Sequence, residues 1–105
     1  MSNEELRVRV LLTVQAALLG AITPNLRAVI CCWDAEEVKV TAIFDGEPSE
    51  EEKELFSEVE AEILAQMPCH EVVLECNCAE YPGKISLPRN CQYVYLRREP
   101  TPDVG

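Results

Sequence analysis

The sequence predicts an α+β fold in which two helices pack on one face of a four-stranded antiparallel sheet. Two capping-box motifs each precede a segment with helical apolar periodicity, and four other segments are rich in β-branched and aromatic residues. These segments follow the order α-β-β-α-β-β, and two hairpins that each follow a helix close most simply into one antiparallel sheet. The 105 residues suffice for one such domain with a single core.

Both predicted helices begin at a serine that is followed three residues later by a glutamate. Ser2 and Glu5 open the first helix, which is predicted to end near residue 20. Ser49 and Glu52 open the second helix, which is predicted to end near residue 67, before Pro68. Apolar stripes mark the buried faces, with Leu6, Val10, Val14 and Ala17 in the first helix and Leu55, Phe56, Val59, Ile63 and Met67 in the second.

The four predicted strands are residues 27–33, 38–44, 70–77 and 91–98. Alternation assigns inward positions to Val38, Val40, Ala42 and Phe44 in the second strand, and to Val72, Leu74 and Cys76 in the third. In the last strand, Val94 and Leu96 are predicted to face inward and Tyr93 and Tyr95 outward. We expect a single domain over residues 1–98 and a flexible tail over residues 99–105, because the tail has nothing to bury.

An apolar stretch over residues 11–22 raises the question of a signal peptide or a membrane anchor. Glu4 and Glu5 precede this stretch where a signal peptide has positive charge, and Gln15 interrupts it. The stretch is also shorter than the ~20 apolar residues that a membrane span needs. We therefore expect a cytoplasmic protein, in which the six cysteines are free thiols: Cys31, Cys32, Cys69, Cys76, Cys78 and Cys91.

The charge balance restricts the classes of partner. With 19 acidic and 9 basic residues, the chain has a formal net charge of −10. This charge argues against binding to DNA or RNA and against docking to anionic membranes, because phosphate groups would be repelled. It permits a basic protein partner, whose approach the electric field would accelerate.

Most of this charge lies in one segment, residues 45–62, which has nine acidic residues and a single base, Lys53. Glu54, Glu58 and Glu62 follow one another at a spacing of four, so they repel one another on a helix by a few tenths of a kcal/mol per pair. The lack of local compensation favours a basic partner that supplies the missing charge. The alternative is an ordinary solvated helix face, with acids placed favourably near the helix N-terminus.

Aromatic residues form the second candidate surface. Tyr93 and Tyr95, with Trp33 beside them, are predicted on the sheet face that no helix covers, and such rings are favoured at interface centres. The alternative is that the rings pack on the loop over residues 81–90 and form a small second core.

Neither a metal site nor an enzyme is indicated. The residues that could converge on zinc are Cys69, His70, Cys76, Cys78 and Cys91, but they contain no CxxC knuckle. There is one histidine, and no nucleotide-binding, metalloprotease or serine-hydrolase motif is present. We expect no catalytic residue and no cofactor, and a zinc-binding module is the least favoured alternative.

Several short segments resemble a family of small acidic bacterial proteins. They are residues 14–20 (VQAALLG), 23–29 (TPNLRAV), 44–47 (FDGE) with 49–51 (SEE), and 81–82 (YP) with 95–97 (YLR). This family includes immunity proteins of contact-dependent growth inhibition toxin systems. The resemblance implies that the chain binds and neutralises the C-terminal domain of a cognate toxin, commonly a nuclease.

These observations predict an immunity-type inhibitor that acts by binding, without a cofactor. The expected contact surface combines the acidic segment with the aromatic residues: Asp45, Glu47, Glu51, Glu54, Glu58 and Glu62, with Trp33, Tyr93 and Tyr95 as anchors. The main alternative is a homodimer or adaptor module that associates through the uncovered face of the sheet.

Overall fold

A computed structural model describes residues 2–100 and contains two helices and four strands in the predicted order. The elements are α1 (Asn3–Ala17), β1 (Leu26–Trp33), β2 (Glu37–Phe44), α2 (Glu50–Gln66), β3 (Glu71–Cys78) and β4 (Cys91–Leu96). The α+β class is confirmed. Within the described residues, no helix is long and apolar enough to cross a membrane.

Both helices begin at the predicted serine. The Ser2 hydroxyl accepts the Glu5 backbone N–H at 3.1 Å, and the Ser49 hydroxyl accepts the Glu52 backbone N–H at the same distance. In α2 the Glu52 carboxylate also accepts the Ser49 backbone N–H at 2.9 Å, which completes a reciprocal capping box. Two otherwise unpaired backbone donors are thereby satisfied at the start of α2.

The sheet is mixed, so the prediction of a purely antiparallel sheet was wrong. Its strand order is β3-β2-β1-β4, with β1 antiparallel to both β2 and β4. The strands β2 and β3 are parallel, in a register that pairs Glu37 with Glu71 and Phe44 with Cys78. The expected hairpin between the third and fourth strands does not exist, because β3 and β4 lie at opposite edges of the sheet.

The length of α2 accounts for the parallel pair. A 17-residue helix is ~25 Å long and an eight-residue strand ~26 Å, so α2 returns the chain to the end at which β2 began. The next strand then starts beside the start of β2 and runs in the same direction. The residues between β3 and β4 cross to the far edge, where β4 pairs with β1.

Two hydrophobic clusters lie against the sheet. The main cluster combines residues of both helices, such as Val14 and Phe56, with the alternating residues of β2 that were predicted to face inward. Val72, Leu74 and Cys76 of β3 pack against it as predicted. A smaller cluster is formed by Ala28, Ile30 and Ile43, and it is covered partly by Ala79 and Ile85 of the β3–β4 connection.

The alternation predicted for the last strand fails beyond Val94. The pairing between β1 and β4 shifts register between Val29 and Ile30, which marks a β-bulge or a similar irregularity. Tyr95 therefore packs against the main cluster together with Val94, while Leu96 is 57% exposed. The outward position of Tyr95 and the inward position of Leu96 were both wrong, because the irregularity changes which side chains face the core.

The expectation of six free thiols also needs correction. Cys32 and Cys91 are partners in adjacent strands, and a disulfide joins them. Cys31, Cys69, Cys76 and Cys78 are free. Cys31 is fully buried, and this burial raises the pKa of its thiol to about 12, so it remains protonated and inert.

The residues that follow β4 are held close to the sheet as far as the description extends. The Glu99 carboxylate accepts hydrogen bonds from Arg27 and Arg97, and the Pro100 carbonyl accepts the Tyr81 hydroxyl. The flexible tail was predicted for residues 99–105, and residues 101–105 lie outside the described residues.

Candidate functional site

A buried ion pair ties the C-terminal segment to β1. The Arg27 side chain is 4% exposed, and its guanidinium donates through Nε and Nη2 to the two oxygens of Glu99, at 2.7 and 2.9 Å. Its Nη1 donates to the carbonyls of Ala79 and Gly83, and the Tyr81 ring lies 5.6 Å from the guanidinium carbon. Hydrogen bonding from Arg27 holds the pKa of Glu99 below its ordinary value, so the pair is charged at neutral pH.

Asp45 lies beside this pair and links the end of β2 to the two neighbouring segments. One of its oxygens accepts the Tyr81 backbone N–H at 2.9 Å, and the other accepts Arg97 Nη2 at 3.0 Å. The bond from Tyr81, followed by that from Arg97, holds the pKa of Asp45 below its ordinary value. Arg97 also donates to the Pro24 carbonyl. Asp45 was predicted at the partner surface, but its carboxylate is engaged within the protein.

Glu52 connects the start of α2 to the turn before β1. Its carboxylate accepts the Thr23 hydroxyl at 2.6 Å and the Asn25 amide at 3.3 Å, in addition to the Ser49 backbone N–H. Burial by itself would raise the pKa of Glu52, but the hydrogen bonds outweigh burial, and its pKa lies below the ordinary value. Glu52 therefore orients α2 relative to β1.

The segments that carry the family resemblance meet at this end of the sheet. Arg27, Asp45, Tyr81 and Arg97 belong to four different segments, and hydrogen bonds join their surroundings into one network. Gly46 has φ of +91°, a backbone conformation that favours glycine. We call this network the frame; it also includes Glu99, which bridges Arg27 and Arg97, and Glu52, which holds the start of α2 against the turn before β1.

The structure divides the acidic segment into two groups. Asp45 and Glu52 belong to the frame, Glu60 accepts the Leu74 backbone N–H at 3.0 Å, and Glu50 pairs with Lys53 at 3.4 Å. The second group is solvent-exposed: Glu47, Glu51, Glu54, Glu58 and Glu62. Within residues 2–100, the ion pairs formed by the protein involve none of these five. Their charge is uncompensated inside the described part of the chain.

Four of these exposed residues form one surface on α2. Glu51, Glu54, Glu58 and Glu62 are separated by three or four positions and so share one side of the helix, which we call the acidic stripe. Glu60 lies on the flank of α2 that contacts the edge strand β3. The acidic stripe is on the remaining surface, which extends from solvent towards α1.

The three aromatic residues that were predicted to form one surface are separated. Tyr93 packs on the smaller cluster with Ile85, as the second-core alternative predicted. Tyr95 and Trp33 are half-buried and pack on the main cluster instead. The prediction that Tyr93 and Tyr95 share an uncovered sheet face was therefore wrong, and the β-bulge in the β1–β4 pairing explains the difference.

The cysteine and histidine residues do not form a metal centre in the described chain. No group of three or more histidine, cysteine or acidic side chains within residues 2–100 is placed to hold a metal ion. Cys91, one of the predicted candidates, forms the disulfide with Cys32. The residues suggested for zinc are thus not brought together.

Sequence reasoning missed an apolar surface on α1. Val8, Leu12 and Leu19 are 45%, 61% and 83% exposed, although the predicted buried residues Val10 and Val14 are fully covered. A signal for this surface is present in the sequence, because residues 8–19 carry apolar side chains on more than one side of the helix. When a helix is apolar on two sides, one side packs into the core of the protein and the other side remains exposed.

The comparisons with known proteins agree with the resemblance. The family model described as MafI2 immunity protein matches residues 7–99, which include the whole frame and both helices apart from the first turn of α1. No curated protein matches the chain. An immunity protein family implies a cognate toxin as partner, and the match extends over most of the sequence. The chain therefore belongs to the MafI2 immunity protein family.

Proposed function

We propose that this protein neutralises a cognate toxin, a basic nuclease domain, by covering it with the acidic stripe of α2. The observation that carries the proposal is that Glu51, Glu54, Glu58 and Glu62 are exposed and form no ion pair within residues 2–100. Mutual repulsion in such a row costs the free protein stability. A basic partner would remove this cost on binding.

A nuclease fits the charge of this surface. Enzymes that bind nucleic acid carry Lys and Arg where the phosphates lie, and a row of carboxylates presents a similar negative pattern. Complementary charge accelerates encounter and selects the partner. In this proposal the protein acts by binding without catalysis or a cofactor, in the cytoplasm that the toxin would enter through a contact-dependent system.

The arrangement of the helices supports the position of this surface. The helices α1 and α2 contact each other and share the main cluster, which favours placing both on the same face of the sheet. The frame fixes the N-terminus of α2 through Glu52, so the acidic stripe is held on a rigid element before the partner arrives.

The proposal is tested by charge reversal on α2. The partner is the inactivated toxin domain encoded next to this protein, and association is measured by stopped flow at several salt concentrations. The triple variant Glu54→Lys, Glu58→Lys, Glu62→Lys is expected to associate at least tenfold more slowly at low salt, with a flatter salt dependence. Loss of the steering charge is the physical reason.

A matched control separates the local effect from the change in net charge. Glu36, Glu71 and Glu80 are exposed acids outside α2, and their reversal to lysine changes the net charge equally. This control is expected to slow association much less. Equal slowing by the two triple variants would show that the acidic stripe is not the contact surface, and no binding by the wild type would refute the toxin-neutralising function itself.

A further inference from the structure

One side of α1 is apolar and uncovered. Val8 and Leu12 are one helical turn apart, and Leu19 lies in the turn that continues the helix, where its backbone N–H donates to the Ala16 carbonyl at 3.2 Å. Their exposed fractions are 45%, 61% and 83%. We call these three residues the apolar stripe, and they lie opposite the buried side chains of the same helix, such as Val14.

The apolar stripe runs beside the acidic stripe. Arg9 of α1 donates to the Gln66 carbonyl at the end of α2, whereas Thr23, which follows α1, donates to Glu52 at the start of α2. The two helices are therefore antiparallel neighbours. Arg7, on the opposite flank of α1, donates instead to Gln92 of β4. The outward surface of α1 therefore borders the helix that carries the acidic stripe.

We propose that the apolar stripe of α1 is the hydrophobic centre of the toxin-binding surface and that the acidic stripe is its charged border. This inference rests on the proposed function. The partner would present an apolar patch bordered by Lys and Arg, which is the complement of the two stripes. Interfaces commonly combine an apolar centre with a polar rim in this way.

Charge complementarity selects a basic partner over a second copy of this chain. Two copies that met through their apolar stripes would each contribute this acidic surface, and a two-fold axis running across the helices would place the two acidic stripes face to face. Like charges facing each other across an interface are unfavourable, and the chain already has a net charge of −10. A basic surface gains from the same geometry.

The two stripes are expected to control different rate constants. Charge acts over distance and determines mainly the association rate, whereas burial of apolar side chains occurs after contact and determines mainly the dissociation rate. Leu12 is the middle residue of the apolar stripe and is expected to contribute most to the lifetime of the complex.

The test compares two exposed leucines that lie on different helices. Leu12 is 61% exposed on α1, and Leu64 is 48% exposed on α2, outside both stripes. The variants Leu12→Gln and Leu64→Gln retain a good helix former. Binding to the inactivated toxin domain encoded next to this protein is measured by surface plasmon resonance, with circular dichroism to verify the fold.

Leu12→Gln is expected to increase the dissociation rate at least tenfold and to change the association rate less than twofold. Leu64→Gln is expected to change neither. A second variant, Leu19→Gln, lies beyond the end of α1 and is expected to accelerate dissociation without affecting the helix.

Two results would overturn the inference. One is an unchanged dissociation rate in both Leu12→Gln and Leu19→Gln while the charge-reversal variant still associates slowly, because the proposed function would then stand without the apolar stripe. The other is a wild-type dimer in light scattering that Leu12→Gln converts to monomer, because the stripe would then be a self-association surface. Failure of the wild type to bind the toxin domain would refute the proposed function instead.

Discussion

At the scale of single residues, Arg27 has the most demanding environment. Its side chain is almost completely buried, and the planar guanidinium donates four hydrogen bonds to three residues: Glu99, Ala79 and Gly83. A lysine has one compact ammonium group and cannot reproduce this geometry. Besides Arg27, the cation that donates to Glu99 is Arg97.

We predict that Arg27→Lys lowers the free energy of unfolding by about 3 kcal/mol, because it leaves buried acceptors partly unpaired. Urea denaturation measures the change. Arg98→Lys is the control at an exposed position of the same C-terminal segment and is expected to change the free energy by less than about 0.5 kcal/mol. Similar small losses in both variants would contradict the structural role assigned to Arg27.

At the scale of elements, α2 combines a well-stabilised N-terminus with a row of mutually repelling charges. Its capping box and the bonds to Glu52 stabilise the N-terminus, whereas the acidic stripe is repulsive along its length. The Glu52 and Glu54 side chains show how different the roles of neighbouring acids are. Glu52 is buried within the frame, and Glu54 is exposed.

We predict that Glu58→Lys stabilises the free protein by about 1 kcal/mol. The new lysine would lie four residues from both Glu54 and Glu62, so two repulsive pairs become attractive. Urea denaturation of this variant and of Glu80→Lys, the same charge change at an exposed position outside the helices, measures the effect. If repulsion in the stripe is absent, the two variants will have the same stability.

At the scale of the whole molecule, the frame makes the fold sensitive to acid. Hydrogen bonds hold the pKa of Glu52, Glu99 and Asp45 below their ordinary values of 4.5, 4.5 and 3.8. A carboxyl whose pKa is lowered by folding stabilises the protein above its unfolded pKa. This contribution is lost as the pH falls from the pKa of the unfolded state through the lowered pKa of the folded state.

We predict that Glu99→Gln is less stable than the wild type at pH 7 and that the difference shrinks below pH 4.5. The difference shrinks because Glu99 of the wild type is protonated at low pH and then lacks the same charge that the variant lacks at every pH. Urea denaturation at pH 7 and at pH 3 to 4.5 measures both free energies. A difference that stays constant over this range would show that the Glu99 charge contributes nothing to folding.

The type of each element and the buried face of each helix follow from local sequence. Ser2 and Ser49 cap the helices as predicted, because a capping box depends on side chains only three positions apart. The inward residues of β2 follow from simple alternation. Of the candidate site, the exposure of Glu51, Glu54, Glu58 and Glu62 also agrees with a pattern that lies within one helix.

Sequence by itself thus determined the order of elements, the two helix starts, the acidic stripe and the family resemblance, all of which depend on short-range patterns. Tertiary structure decided the pairing of β4 with β1, the inward position of Tyr95, the disulfide between Cys32 and Cys91, and the hydrogen bonds of Asp45 within the frame. It also decided which side of α1 remains uncovered. The physical reason is that these features join residues distant in the chain, and local periodicity carries no information about which distant segments will meet.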